Sequence, residues 1–197
     1  MSERPDNLSA SEALERLTEG NQRFVSGASE HPHCDPDRRA ELTGGQHPFA
    51  TIITCADSRV PVELVFDQGL GDVFVIRVAG NLADDAVLGS IEYASRHLGV
   101  NLVVVMGHQS CGAVGAAVAG SATGTHIDAL IDAIAPAVAE ARRGGDEDLL
   151  ERSVHANAKM VAGQVRDSQP VMAGLGAAGV SVQAAYYSLE SGEVSWL

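Results

Sequence analysis

The sequence predicts an α/β fold: a mostly parallel β-sheet flanked by helices, with an amphipathic helical arm ahead of it. Three observations carry this expectation. From residue 49 onward, short apolar runs rich in β-branched residues alternate with helix-like stretches, as in crossover units whose parallel strands are buried on both faces. Before them, residues 9–27 show a helical apolar stripe, set apart by a polar, Pro-containing segment. Finally, 45% hydrophobic residues in a chain of 197, with only 4% aromatic, suit one core built from Ala, Val, Leu and Ile. A single domain over 1–197 is therefore expected, divided into an arm and loop (1–45) and a core (46–197).

The arm, "SASEALERLTEGNQRFVSG", places Leu14, Leu17, Phe24 and Val25 on a partial stripe, with Ser9 or Ser11 as cap and Gly27 as stop. "ASEHPHCDPD" reads as a loop, and the detached helix invites docking onto a second subunit. "FATIITC" (49–55) is a buried strand. "PVELVFDQG" (61–69) is a short helix opened by Pro61 and closed by Gly69. "DVFVIRVAG" (72–80) is the second strand. "DDAVLGSIEYASRHLG" (84–99) is a helix with acids in its first turn, bases in its last and a terminal glycine; Asp84 and Asp85 are explained by that alone. "NLVVVMG" (101–107) is the third strand. "SCGAVGAAVAG" opens another helix, and two longer ones follow at 125–143 and 147–168. "RRGGDEDLLER" (142–152) reads as a solvated turn. Residues 179–197 give a strand, a turn at Ser191-Gly192 and a short last strand.

The net charge of −13 repels phosphate backbones, which argues against a nucleic-acid partner. Lys159 is the only lysine. No apolar run is long enough to span a bilayer, and "MSERPDN" has no apolar signal region, so a cytoplasmic location is expected. Three cysteines, Cys34, Cys55 and Cys111, are too few for a disulfide framework and read as thiols or metal ligands.

Ligands of parallel sheets gather at the carboxyl ends of the strands. Cys55 ends the first strand and "GHQSCG" (107–112) ends the third. If those strands are neighbours, Cys55, His108 and Cys111 converge, with a helical turn putting the last two on one side. Two thiolates and an imidazole are an ordinary inner shell for Zn²⁺, whose fourth position in a catalytic site is left to water. In an extended segment Cys55, Asp57 and Arg59 share a face. Arg59 then pairs with Asp57, which can accept a hydrogen bond from metal-bound water or bind the metal itself. Taken singly, each has a simpler explanation: a small core cysteine, a satisfied buried histidine, a structural ion pair. Their joint arrival at one sheet edge by separate routes favours the metal site. His31, His33 and Cys34 read as loop residues rather than a second site.

"CADSRVP", "DVFVIRVAGN", "GSIEYA" and "VVVMGHQSCGAV", in this order and spacing, resemble the β-class carbonic anhydrases, most specifically from Gln46 to Val118. The resemblance implies one Zn²⁺ per chain on Cys55, His108 and Cys111, with Asp57 and Arg59 as the catalytic pair. It implies reversible hydration of carbon dioxide to bicarbonate and a proton by zinc-bound hydroxide. It further implies a substrate pocket of Gln46, Phe74, Ala79, Tyr93 and Gly112, and self-association as a dimer or tetramer, with Gln46, Phe74 and Tyr93 supplied by the neighbouring subunit. Without it, Phe74 and Tyr93 would read as core. Two departures from the family pattern stand out. Ala56 replaces a common Ser. Ile52 stands where the bicarbonate-inhibited branch carries Trp, which argues against that inhibitory pocket although Arg77 matches its arginine. The rival readings are a CS₂ or COS hydrolase on the same scaffold, a non-enzymatic zinc-stabilised protein and, more weakly, a redox thiol protein, which the absence of C-x-x-C disfavours.

Overall fold

The computed structural model describes residues 6–120, 122–169 and 172–197; residues 1–5 of the expected arm lie outside the described residues. A five-stranded sheet has the order β2-β1-β3-β4-β5, formed by β1 (Ala50–Thr54), β2 (Val73–Arg77), β3 (Leu102–His108), β4 (Ser181–Tyr187) and β5 (Val194–Trp196). The first four strands are mutually parallel and β5 returns antiparallel. Strands β1 and β3 are thus neighbours, pairing Thr54 with Met106, so their carboxyl ends open side by side.

Every residue of β1 and β3 is buried, and successive side chains feed opposite faces. On one face Ile52, Val104, Met106 and Ala185 pack with Leu17 and Phe66 beneath α1 (Ala10–Val25) and α3 (Val62–Val65). On the other, Ile53, Val103, Val105 and Ala184 meet α4 (Asp85–His97) and α7 (Leu149–Asp167). Beyond the strand ends, α5 (Gly112–Ala119), α6 (Ile127–Arg142) and α7 enclose a third cluster that contains Cys55 and Cys111. Among the described residues no helix is long and apolar enough to cross a membrane.

The arm helix starts at a full capping box, with Ser9 accepting from Glu12 N–H and the Glu12 carboxylate returning to Ser9 N–H. The loop after it is more ordered than its composition predicts. Asp35 caps a short α2 (Pro36–Glu41), and Asp67 and Asp72 hold the segment from below. Asp67 accepts from Glu30 and His31 N–H and from Arg23 Nε. Asp72 accepts from His33 Nδ1. These partners are more than thirty residues apart, so no local pattern announces them. The helix expected over 61–69 is only four residues long, because Asp67 turns the chain at φ +46° to face the arm. A further short helix, α8 (Met172–Gly176), was not expected either.

Candidate metal centre

Cys55 follows the last residue of β1, His108 is the last residue of β3, and Cys111 is the residue before α5. The structure brings all three together, buried, with one donor atom of each within 4.8 Å of the others. The route differs from the helical turn expected between His108 and Cys111. Ser110 adopts φ +55° and Cys111 is extended, with φ −63° and ψ 119°; a tight turn off the strand end supplies the approach.

The donor set fits a tetrahedral N/S metal. The two sulfurs stand 4.0 Å apart, against about 3.8 Å for two thiolates at ~2.3 Å from one tetrahedral centre. His108 Nδ1 is 2.9 Å from the Gln109 carbonyl, which can only accept, so Nδ1 carries the proton and Nε2 the lone pair. That Nε2 is fully buried and has no hydrogen-bond partner, a costly arrangement unless something else takes the lone pair. The Cys111 S–H pushes the Cys55 thiol well below the ordinary range against the opposing effect of burial, with help from His108 and the Gly80 and Asp57 N–H groups. The Cys55 thiolate in turn pushes Cys111 up. A cation that takes both sulfurs displaces the remaining proton.

Asp57 and Arg59 stand at the rim. The expected extended segment is instead a turn, closed by Val60 N–H donating to the Asp57 carbonyl at 3.1 Å. The turn allows a two-pronged pair: Arg59 Nε donates to Asp57 Oδ1 at 2.9 Å and Nη2 to Oδ2 at 2.7 Å. Arg59 N–H adds a third bond to Oδ1 at 2.9 Å. The guanidinium holds the Asp57 carboxyl far below the usual carboxylate range. Asp57 Oδ2 also lies 3.9 Å from His108 Nε2, so the carboxylate faces the space among the three donors. Arg77 braces this exit from behind by donating to the carbonyls of Cys55 and Asp57.

The other expected site residues divide into two sets. Ala79 lies in the turn after β2, next to Gly80, whose N–H reaches Cys55 Sγ, and Gly112 opens α5 directly after Cys111. Phe74 and Tyr93 are elsewhere. Phe74 pairs with Thr51 in a register where Arg77 pairs with Thr54, so it sits about 10 Å short of the strand ends. Its ring meets Tyr93 at 6.3 Å, and Tyr93 is 47% exposed. Gln46 is exposed in the segment leading to β1. Within one chain these three do not join the donors. Gly80, which bonds to Cys55 from 25 residues away, was not among the expected site residues.

Residues 50–194 match the family model described as carbonic anhydrase. The chain is 50% identical over 150 residues to carbonic anhydrase 2 of Mycobacterium tuberculosis, covering 73% of this chain and 72% of that protein. Among solved structures it is similar to the β-carbonic anhydrase CafA of Aspergillus fumigatus, with a TM-score of 0.74 and 28% identity over 95% of this chain and 89% of that one. It also shares its fold with a structure from a study of two tetrameric β-carbonic anhydrases of Sordaria macrospora, with a TM-score of 0.75 and 23% identity over 94% and 97% of the two chains.

Proposed function

The chain belongs to the β-class carbonic anhydrases, and from that premise we propose that it hydrates carbon dioxide reversibly to bicarbonate and a proton, with one Zn²⁺ per chain on Cys55, His108 and Cys111. The observation that carries the reading is the meeting of three buried donors, one with an orphaned lone pair, beneath a carboxylate fixed by an arginine. When bound, zinc supplies Lewis acidity, which brings the pKa of a water molecule toward neutrality and steadies the oxygen that gains charge.

The chain's own groups do the rest. Asp57, held in place by Arg59, accepts a hydrogen bond from the attacking water and so turns the water's free lone pair toward the carbon. Arg59 grips both carboxylate oxygens and so keeps Asp57 from swinging inward to occupy the fourth ligand position. Ala79 and Gly112 border the substrate position from the same chain. Phe74, Tyr93 and Gln46 complete the apolar pocket of a neighbouring copy, which accounts for their distance from their own donors. That assignment requires a dimer, or a dimer of dimers as the Sordaria proteins' tetrameric description suggests by analogy. A single domain over 1–197, arm included, is the organisation proposed. Its unpaired thiols suit a reducing compartment, and the cytoplasm is the location proposed.

Stopped-flow hydration of carbon dioxide between about pH 6.5 and 9, with zinc measured on the same sample, tests the proposal. One zinc per chain with activity rising toward alkaline pH is expected. A chain without zinc, or with zinc and inert across that range, would refute it.

A further inference from the structure

Cys55 Sγ receives a backbone donor from outside its own segment: Gly80 N–H, at 3.4 Å. That bond depends on the shape of the turn after β2. Asn81 N–H closes the turn onto the Val78 carbonyl at 2.9 Å. Gly80 holds φ +77°, a conformation that favours glycine. A Cβ there would also come within 2.7 Å of Ile134 Cδ1 and 3.3 Å of Ala113 Cβ, so α5 and α6 press on the turn from outside. From the core side, Asn157 of α7 donates its Nδ2 to the Gly80 carbonyl at 2.9 Å. The direction is unambiguous because a carbonyl only accepts.

Asn157 is fully buried, on a helix face shared with Ser153, Val154, Ala158 and Val161, and its Oδ1 has no hydrogen-bond partner. An amide with one unsatisfied end is an expensive occupant of a mostly apolar face. Its one bond leads through a single residue, Gly80, whose carbonyl it holds and whose N–H reaches the sulfur of Cys55. An N–H donor at a thiolate draws charge from the sulfur and lessens its donation to a bound metal, which matters in a site with two anionic ligands.

Given the metal centre proposed above, we propose that Asn157 is a positioning residue for it: by holding the Gly80 carbonyl, it fixes the turn that aims Gly80 N–H at Cys55 Sγ and so tunes the electron-richness of that ligand. The test is spectroscopic, on the cobalt-substituted whole chain. Asn157→Leu, with the same number and branching of side-chain heavy atoms but without a donor, should still take up one cobalt. Its sulfur-to-cobalt charge-transfer band should move to lower energy, the shift expected of a more electron-rich sulfur. A wild-type band position in that variant would overturn the proposal, even if the variant were less stable to heat.

Should Asn157→Leu fail to fold, the wild-type chain loaded with a spin-half cadmium isotope gives an independent answer. Scalar coupling between the metal and the Gly80 amide proton is expected, and its absence would overturn the proposal. A wild-type chain that takes up no cobalt, by contrast, would refute the metal centre itself and this role with it.

Discussion

Asp57 and Arg59 show how position and charge separate at the scale of the residue. Removing the guanidinium would let the Asp57 carboxyl return toward its ordinary value of about 3.9, still ionised at neutral pH. What Arg59→Ala removes is therefore orientation, not charge. We expect that variant to keep its zinc and to lose activity by about 100-fold or more; full activity at unchanged zinc content would show that Asp57 does not need its latch. Because Asp57 is ionised from well below the usual carboxylate range upward, no inflection between about pH 5 and 7 in the wild-type rate profile should belong to it. At the donors themselves, His108→Ala takes away the buried Nε2 and should leave less than one metal per chain. Stripping the wild type with a chelator should abolish activity and lower the melting temperature, since a metal that binds only the folded chain stabilises it by mass action.

At the scale of the element, the arm is fastened by buried carboxylates as well as by its apolar stripe. Burial alone would raise the Asp67 carboxyl, yet the Arg23 guanidinium and the N–H groups of Glu30 and His31 outweigh it and hold it below its usual value. A depressed acid contributes stability that is complete above its unfolded pKa, about 3.9, and is lost as pH falls through the lower folded value. The arm should therefore loosen on the acid side of about pH 4. Asp67→Asn should cost about 1–3 kcal/mol at neutral pH and flatten the acid dependence. Denaturant unfolding of both proteins from neutral to acid pH checks this; parallel curves would show that the clamp is not electrostatic.

At the scale of the molecule, the sheet ends in two edge strands, β5 and β2. The β2 side is open: that strand is only partly buried along its length. Around that open side Leu64, Leu70 and Tyr93 are 44–50% exposed, the pattern of a surface that a partner covers. If Phe74 and Tyr93 serve a neighbouring copy's site, association and activity must fall together. Tyr93→Arg should shift the sedimenting species toward the single chain and reduce activity, with secondary structure retained. A variant that remains associated and fully active would place the interface elsewhere.

The sequence by itself determined the strands, the longer helices and which residues could serve as donors. The β-branched runs that became β1 and β3, Ser9 at the head of the arm and the placing of Cys55, His108 and Cys111 at strand ends are all local properties. They follow from side-chain shape and from the rule that parallel strands present ligands at their carboxyl ends. Tertiary structure alone decided the turns that aim those donors. Ser110 and Asp67 take left-handed conformations, uncommon for Ser and better tolerated by Asp, imposed by what they must reach across the fold. It alone gave Asn157 to Gly80, seventy-seven residues away, and put Phe74 on the open edge rather than at the donors. Such pairings are set by packing between distant segments, which no local periodicity encodes.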